Sequence, residues 1–103
     1  MNKTSMLSKD SLKDKTILVT GGGSGLGKSM STEFLRLGAN VVIASRNLEK
    51  LEAAAKEMED ETGGSVLPLQ CNVKEYSEVE NVLSETVKRF GSLDILVNNA
   101  GIG

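Results

Sequence analysis

The sequence predicts an α/β domain built on a doubly wound parallel sheet, and three observations carry that prediction. Four short apolar runs alternate with three longer segments whose apolar residues recur at helical spacing. The runs are apolar almost throughout, as strands covered on both faces are. Glycine closes each helical segment, so strand and helix follow one another in the order β-α-β-α-β-α-β.

Residues 1–14, "MNKTSMLSKDSLKD", are polar and lack the apolar stretch of a signal peptide, so they read as a flexible lead-in to a domain over 15–103. Thr16–Thr20, "TILVT", is too short for a helix and predicts a buried strand. A bend follows that holds Gly21, Gly22, Gly23, Gly25 and Gly27. From Leu26 the spacing of Leu26, Met30, Phe34 and Leu37 predicts a helix whose buried stripe these residues form, ended by Gly38. Asn40–Ala44 is the second strand.

Asn47 stands where it can cap a second helix, "LEKLEAAAKEMEDET", with Leu48, Leu51, Ala55 and Met58 facing inward. Glu52 and Lys56 lie four apart on its solvent face in the favourable order. Gly63 and Gly64 stop it. Val66–Cys71 is the third strand; Pro68 has no N–H to give to a ladder, which predicts a sheet edge. Ser77-Glu78-Val79-Glu80 matches a capping box that would open a third helix. Val79, Leu83, Val87 and Phe90 form its expected inner face, with Val82 and Thr86 beside them, and Gly91 ends it. Asp94–Val97 is the fourth strand, followed by "NNAGIG". Right-handed crossovers place these strands in the order 3-2-1-4, a Rossmann-type arrangement with its switch point between strands one and four. Ligands bind such sheets at the carboxyl ends of the strands beside that point.

Composition narrows the function. The net charge of −2 with no basic stripe gives no footing for nucleic acid. A single Cys71 excludes an internal disulfide, and the absence of His argues against a metal site. Cys71 reads as a small buried hydrophobe. No stretch approaches membrane-spanning length, and a cytoplasmic location is expected.

The glycine bend carries the chemistry. The general G-x-G-x-x-G pattern fails, because from Gly21 it requires glycine at Leu26; the spacing present is T-G-x-x-x-G-x-G, formed by Thr20, Gly21, Gly25 and Gly27. Glycines permit a tight strand-to-helix turn and let the backbone approach a phosphate. Exposed N–H groups and the positive end of the helix then favour a pyrophosphate. Thr20 and Ser24 can add hydroxyl contacts, and Leu26 lies in the same loop.

A second signal follows strand two. An acid about 20 residues beyond the glycines holds the ribose 2′-hydroxyl in NAD-binding folds. Here Ser45 and Arg46 stand instead, with no acid before Glu49. A guanidinium grips a 2′-phosphate that a carboxylate would repel, so NADP(H) is expected over NAD(H). Asn72 and Val73, after strand three, are placed to meet the adenine through a side-chain amide and a backbone N–H. Alternatively, Asn72 is a plain turn residue. Asn99, Ala100 and Gly101 offer small, close-approach positions after strand four, whereas Asn98 is expected to pair with neighbouring strand backbone.

Together, "TGGGSGLG" and "NNAG" resemble the short-chain dehydrogenase/reductase family over nearly all of residues 13–103. The resemblance implies hydride transfer with a nicotinamide cofactor, and Arg46 without a preceding acid resembles the NADP-preferring branch. "GANVVIASRNLEKLEAAAKEM" and "LPLQCNV" look like the 2,4-dienoyl-CoA and trans-2-enoyl-CoA reductases, which implies an acyl thioester substrate and a homo-oligomeric longer form. "NNAGIG" is also similar to the 3-oxoacyl-carrier-protein reductases. The family's catalytic Tyr-x-x-x-Lys does not occur: Tyr76 is followed four residues on by Glu80. No catalytic residue is therefore assigned. The expectation is the front part of a longer enzyme, inactive by itself. The competing expectation is a non-catalytic module that binds a nucleotide or recruits a partner through its open sheet edge.

Overall fold

A computed structural model describes residues 10–99. Strands β1 (Thr16–Thr20), β2 (Asn40–Ser45), β3 (Val66–Gln70) and β4 (Ile95–Asn98) alternate with helices α1 (Gly25–Arg36), α2 (Leu48–Thr62) and α3 (Tyr76–Phe90). All strand pairs are parallel, and the sheet order is β3-β2-β1-β4, as the crossover rule requires. Pro68 sits on β3, an edge strand, opposite Ile43.

The two-residue period of a strand sends alternate side chains to opposite faces, and both faces here are filled. Ile17, Val19, Val41 and Ile43 pack with Leu51, Ala55 and Met58 in one core. Leu18, Val42 and Ala44 pack with Cys71 and Val82 in the other. The first core lies under α1 and α2 and the second under α3. Ile17, Ile43 and Leu51 are wholly buried, each contributing roughly 2–3 kcal/mol of apolar transfer. Below the sheet, Thr16 N–H donates to Asp94 Oδ2 (2.8 Å) and Asp94 N–H to Thr16 O (2.9 Å), which sets where β4 starts against β1.

Several sequence expectations are corrected. The buried stripe of α1 is Gly27, Ser31 and Leu35, while Leu26 is 61% exposed. The reason is steric. A Cβ on Gly27 would lie 2.1 Å from Gly21 O, so the helix sits against the preceding turn at a distance only small side chains allow. Ser31 continues this close face and satisfies its hydroxyl on Gly27 O at 2.8 Å.

On α2, Ala54 joins Leu51, Ala55 and Met58 in the core, and Leu48 is only partly buried. Glu52 and Lys56 form no ion pair; α2 is instead linked to α1 through Lys28–Glu57 and Arg36–Glu61. The helix does open on Asn47, whose Oδ1 accepts from Lys50 N–H at 3.0 Å.

The third helix begins earlier than the capping box implied. Its N-cap is Glu75 with no side-chain bond, and Ser77 lies inside the first turn. Glu78, rather than the Glu80 of the box, reaches back, and it accepts from the N–H of Asn72 (2.9 Å), because the turn before the helix brings that amide within range. The buried stripe of α3 is Val82 and Thr86, with Val79 and Phe90 partly buried. Leu83 and Val87 (48% exposed) face outward, as do Ile95 and Leu96 (58%) on β4. Residues 10–14, expected within a flexible lead-in, form a turn in which Leu12 N–H donates to Leu37 O at 2.8 Å and the Leu12 side chain packs on the first core.

Two stability outcomes follow. Gly27→Ala should cost about 3 kcal/mol by forcing the helix off the turn. Asn47→Ala should cost about 1 kcal/mol through loss of the cap alone. Urea unfolding followed by circular dichroism separates the two; equal small effects would show that the helix does not depend on its close seating.

Candidate functional site

The register brings Asn98, Thr20 and Ala44 side by side, with Ser45 and Gln70 paired one step beyond on β2 and β3. This is the carboxyl end of the sheet, beside the switch between β1 and β4. The chain leaves β1 through Gly21, whose positive φ (70°) turns it sharply, and Gly21 N–H extends the ladder to Ala44 O at 2.8 Å. It enters α1 through Ser24 in extended conformation and Gly25 at φ 58°.

The start of α1 is electrostatically open. The Ser24 hydroxyl caps no first-turn amide, and no acidic side chain stands in that turn. Such an end carries the positive pole of the helix and N–H donors suited to an anion. A Cβ placed on Gly25 meets nothing within 4 Å, so the space above this turn is clear.

Not all the predicted residues present free polar groups. Thr20 Oγ1 donates to Asn98 Oδ1 (3.0 Å) and accepts from Asn99 N–H (2.9 Å). Asn99 Nδ2 donates to Gly21 O at 3.3 Å. These bonds tie the end of β4 to the bend and hold the bend in place. Asn98, expected to pair with strand backbone, pairs with a side chain. Ala100 and Gly101 lie outside the described residues.

An open cleft of about 350 Å³ runs from this bend across the ends of β2 and β3, lined by Gly21, Ser45, Arg46, Asn72, Val73 and Lys74 together with Cys71. Five of the seven are residues singled out from the sequence. Arg46 is exposed, and its backbone carbonyl accepts from Gln70 Nε2 at 3.0 Å. Ser45 Oγ accepts from Asn47 N–H at 3.4 Å, and Ser45 O accepts from Cys71 N–H at 2.7 Å.

Asn72 serves as a turn residue. Its Oδ1 accepts from Lys74 N–H (3.0 Å), its carbonyl from Glu75 N–H (2.9 Å), and its own N–H is held by Glu78. Cys71 is buried, and burial, reinforced by the Glu78 carboxylate, pushes its thiol pKa up, away from a reactive thiolate. An apolar groove of about 200 Å³ adjoins the cleft, lined among others by Val73, Val79, Val82, Leu83 and Leu96.

Sequence reasoning missed two participants. Lys74 carried no signal beyond a charge in a loop. Glu78 carried no signal either, since the capping box paired Ser77 with Glu80, and its partner, the Asn72 amide, is visible only in three dimensions.

Residues 15–103 match the family model for short chain dehydrogenases. Among curated relatives, a peroxisomal 2,4-dienoyl-CoA reductase of Danio rerio is 45% identical over 101 residues, which is 97% of this chain and 34% of the relative. A probable 2,4-dienoyl-CoA reductase 3 of Caenorhabditis elegans is 46% identical over 92% of this chain and 31% of its own length. The chain thus spans about a third of the length of the curated relatives it matches. Among solved structures, a citronellol catabolism dehydrogenase of Pseudomonas aeruginosa PAO1 superposes with a TM-score of 0.84 at 37% identity, covering 88% of this chain and 38% of that one. The L-sorbose reductase of Gluconobacter frateurii, in complex with NADPH and L-sorbose, superposes with a TM-score of 0.85 at 32% identity, covering 91% and 36%. With the sheet order, the glycine bend and the family model in agreement, the chain belongs to the short-chain dehydrogenase family.

Proposed function

We propose that these residues form the dinucleotide-binding portion of an NADP(H)-dependent oxidoreductase that acts on an acyl-CoA thioester, in the manner of a 2,4-dienoyl-CoA reductase. The observation that carries the cofactor reading is the cleft itself. It joins the glycine bend to Ser45 and Arg46, and no carboxylate among the described residues lines it. The glycine bend and the uncapped start of α1 suit the pyrophosphate: Gly21, Gly25 and Gly27 bring the backbone close, and the amides near Ser24 and Leu26 give donors. Arg46 and Ser45 take the 2′-phosphate. Val73, exposed at the far end of the cleft, lies against the adenine, with Asn72 shaping the turn beneath it.

NADPH, when bound, supplies the hydride. The chain's own residues bind and orient its adenosine and diphosphate half. The bonds among Thr20, Asn98 and Asn99 keep the bend rigid for that purpose. The thioester reading rests on the similarity to the two dienoyl-CoA reductases.

The cofactor reading is tested by titrating the chain with NADPH and with NADH. NADPH should bind more tightly, and Arg46→Gln should weaken it about tenfold while moving NADH less than about twofold, as expected for loss of a charged, paired hydrogen bond. Equal affinity for the two nucleotides, unmoved by that substitution, would overturn it. With 2,4-dienoyl-CoA added, the 103 residues should bind NADPH without oxidising it, since they contain no Tyr-x-x-x-Lys. Measurable oxidation would show that the chemistry needs no such pair.

A further inference from the structure

We propose that Lys74 is a specificity-determining residue of the same cleft: a second cation, lining it together with Arg46, that holds the 2′-phosphate of the dinucleotide. The inference rests on the NADP(H) reading above and goes beyond it by assigning a residue that the glycine bend and the end of β2 do not supply. Lys74 reaches the cleft from the loop after β3, whereas Arg46 comes from the end of β2.

Lys74 is not a loosely placed surface lysine. Its backbone N–H is held by Asn72 Oδ1 at 3.0 Å, the next residue's N–H by Asn72 O at 2.9 Å, and the Asn72 N–H by Glu78 Oε1 at 2.9 Å. Three hydrogen bonds thus fix the loop that carries it. Neither Lys74 nor Arg46 makes an ion pair with any described residue, although both line one cleft with no acid in its wall. One carboxylate, Glu78, lines the adjoining recess with Arg46, Gln70 and Asn72 and is engaged on the Asn72 amide.

Two cations lining one cleft repel one another, and an anion with charge near −2 seated with both relieves that repulsion. A ribose 2′-phosphate has that charge; a 2′-hydroxyl has none. Lys74 therefore discriminates between the two nucleotides as well as adding affinity. Its ammonium acts as a point charge, and the planar Arg46 supplies the directional contact.

The test uses the chain with Lys74→Gln and Lys74→Arg, titrated with NADPH and NADH at low ionic strength. Lys74→Gln should weaken NADPH about fivefold, leave NADH unchanged, and leave the melting temperature in place, since the Lys74 side chain makes no hydrogen bond or ion pair among the described residues. Lys74→Arg should restore most of the NADPH affinity. Added salt should erase the difference between wild type and Lys74→Gln. The inference falls if NADPH and NADH weaken together, which would place Lys74 on a group common to both, or if neither moves. Loss of preference in Arg46→Gln with no effect of Lys74→Gln would sink this inference while the NADP(H) reading stands. A wild-type chain that binds both nucleotides equally would sink both.

Discussion

The close seating of α1 on the turn that precedes it is the constraint on which the rest depends. Gly27 touches the turn where any side chain would collide with Gly21 O. That contact brings the positive end of the helix to the carboxyl edge of the sheet with its first-turn amides uncovered by any cap. Asn99 closes the same contact from the other side by donating to Gly21 O, and Thr20 ties Asn98 and Asn99 to β1. Bend, helix and the end of β4 therefore behave as one braced unit. An anion site built on such a unit needs no side-chain rearrangement to present its donors.

The two cores are unequal in coverage. Under α1 and α2 the strands Ile17, Val19, Val41 and Ile43 are sealed by Leu51, Ala55 and Met58. On the opposite face, among the described residues, α3 alone covers the sheet, and it leaves Leu83 and Leu96 partly exposed around an apolar groove. An apolar strand whose outer edge and one face are open is a costly feature in water. The amphipathic pattern of α3, which includes Leu83 and Val87 as well as Val82 and Thr86, is wider than the contact it makes in these residues.

The cleft shows how loop chemistry places charge. Arg46 and Lys74 are far apart in sequence and line one cleft because β2 and β3 are in register at Ser45 and Gln70. Backbone bonds then hold each loop: Gln70 on Arg46 O, Cys71 on Ser45 O, and the Asn72 turn braced by Glu78. Burial of Cys71 beneath that turn leaves it a packing residue, with its thiol held neutral.

The order of elements, the sheet order and the position of the bend were legible in the sequence. They rest on local periodicity, on glycine and proline backbone limits and on the handedness of crossovers, all of which act over short stretches. The glycine spacing and Arg46 likewise announced a site before any fold was drawn. Tertiary structure alone decided which stripe of each helix is buried. Leu26 is apolar but faces out, whereas Gly27 and Ser31 are small and face in, because contact distance rather than hydrophobicity selects the inner face of α1. It also decided that Glu78 holds the Asn72 amide, and that Lys74 lines one cleft with Arg46. Such pairings depend on which strands lie side by side, and residue spacing along the chain holds no information about that distance.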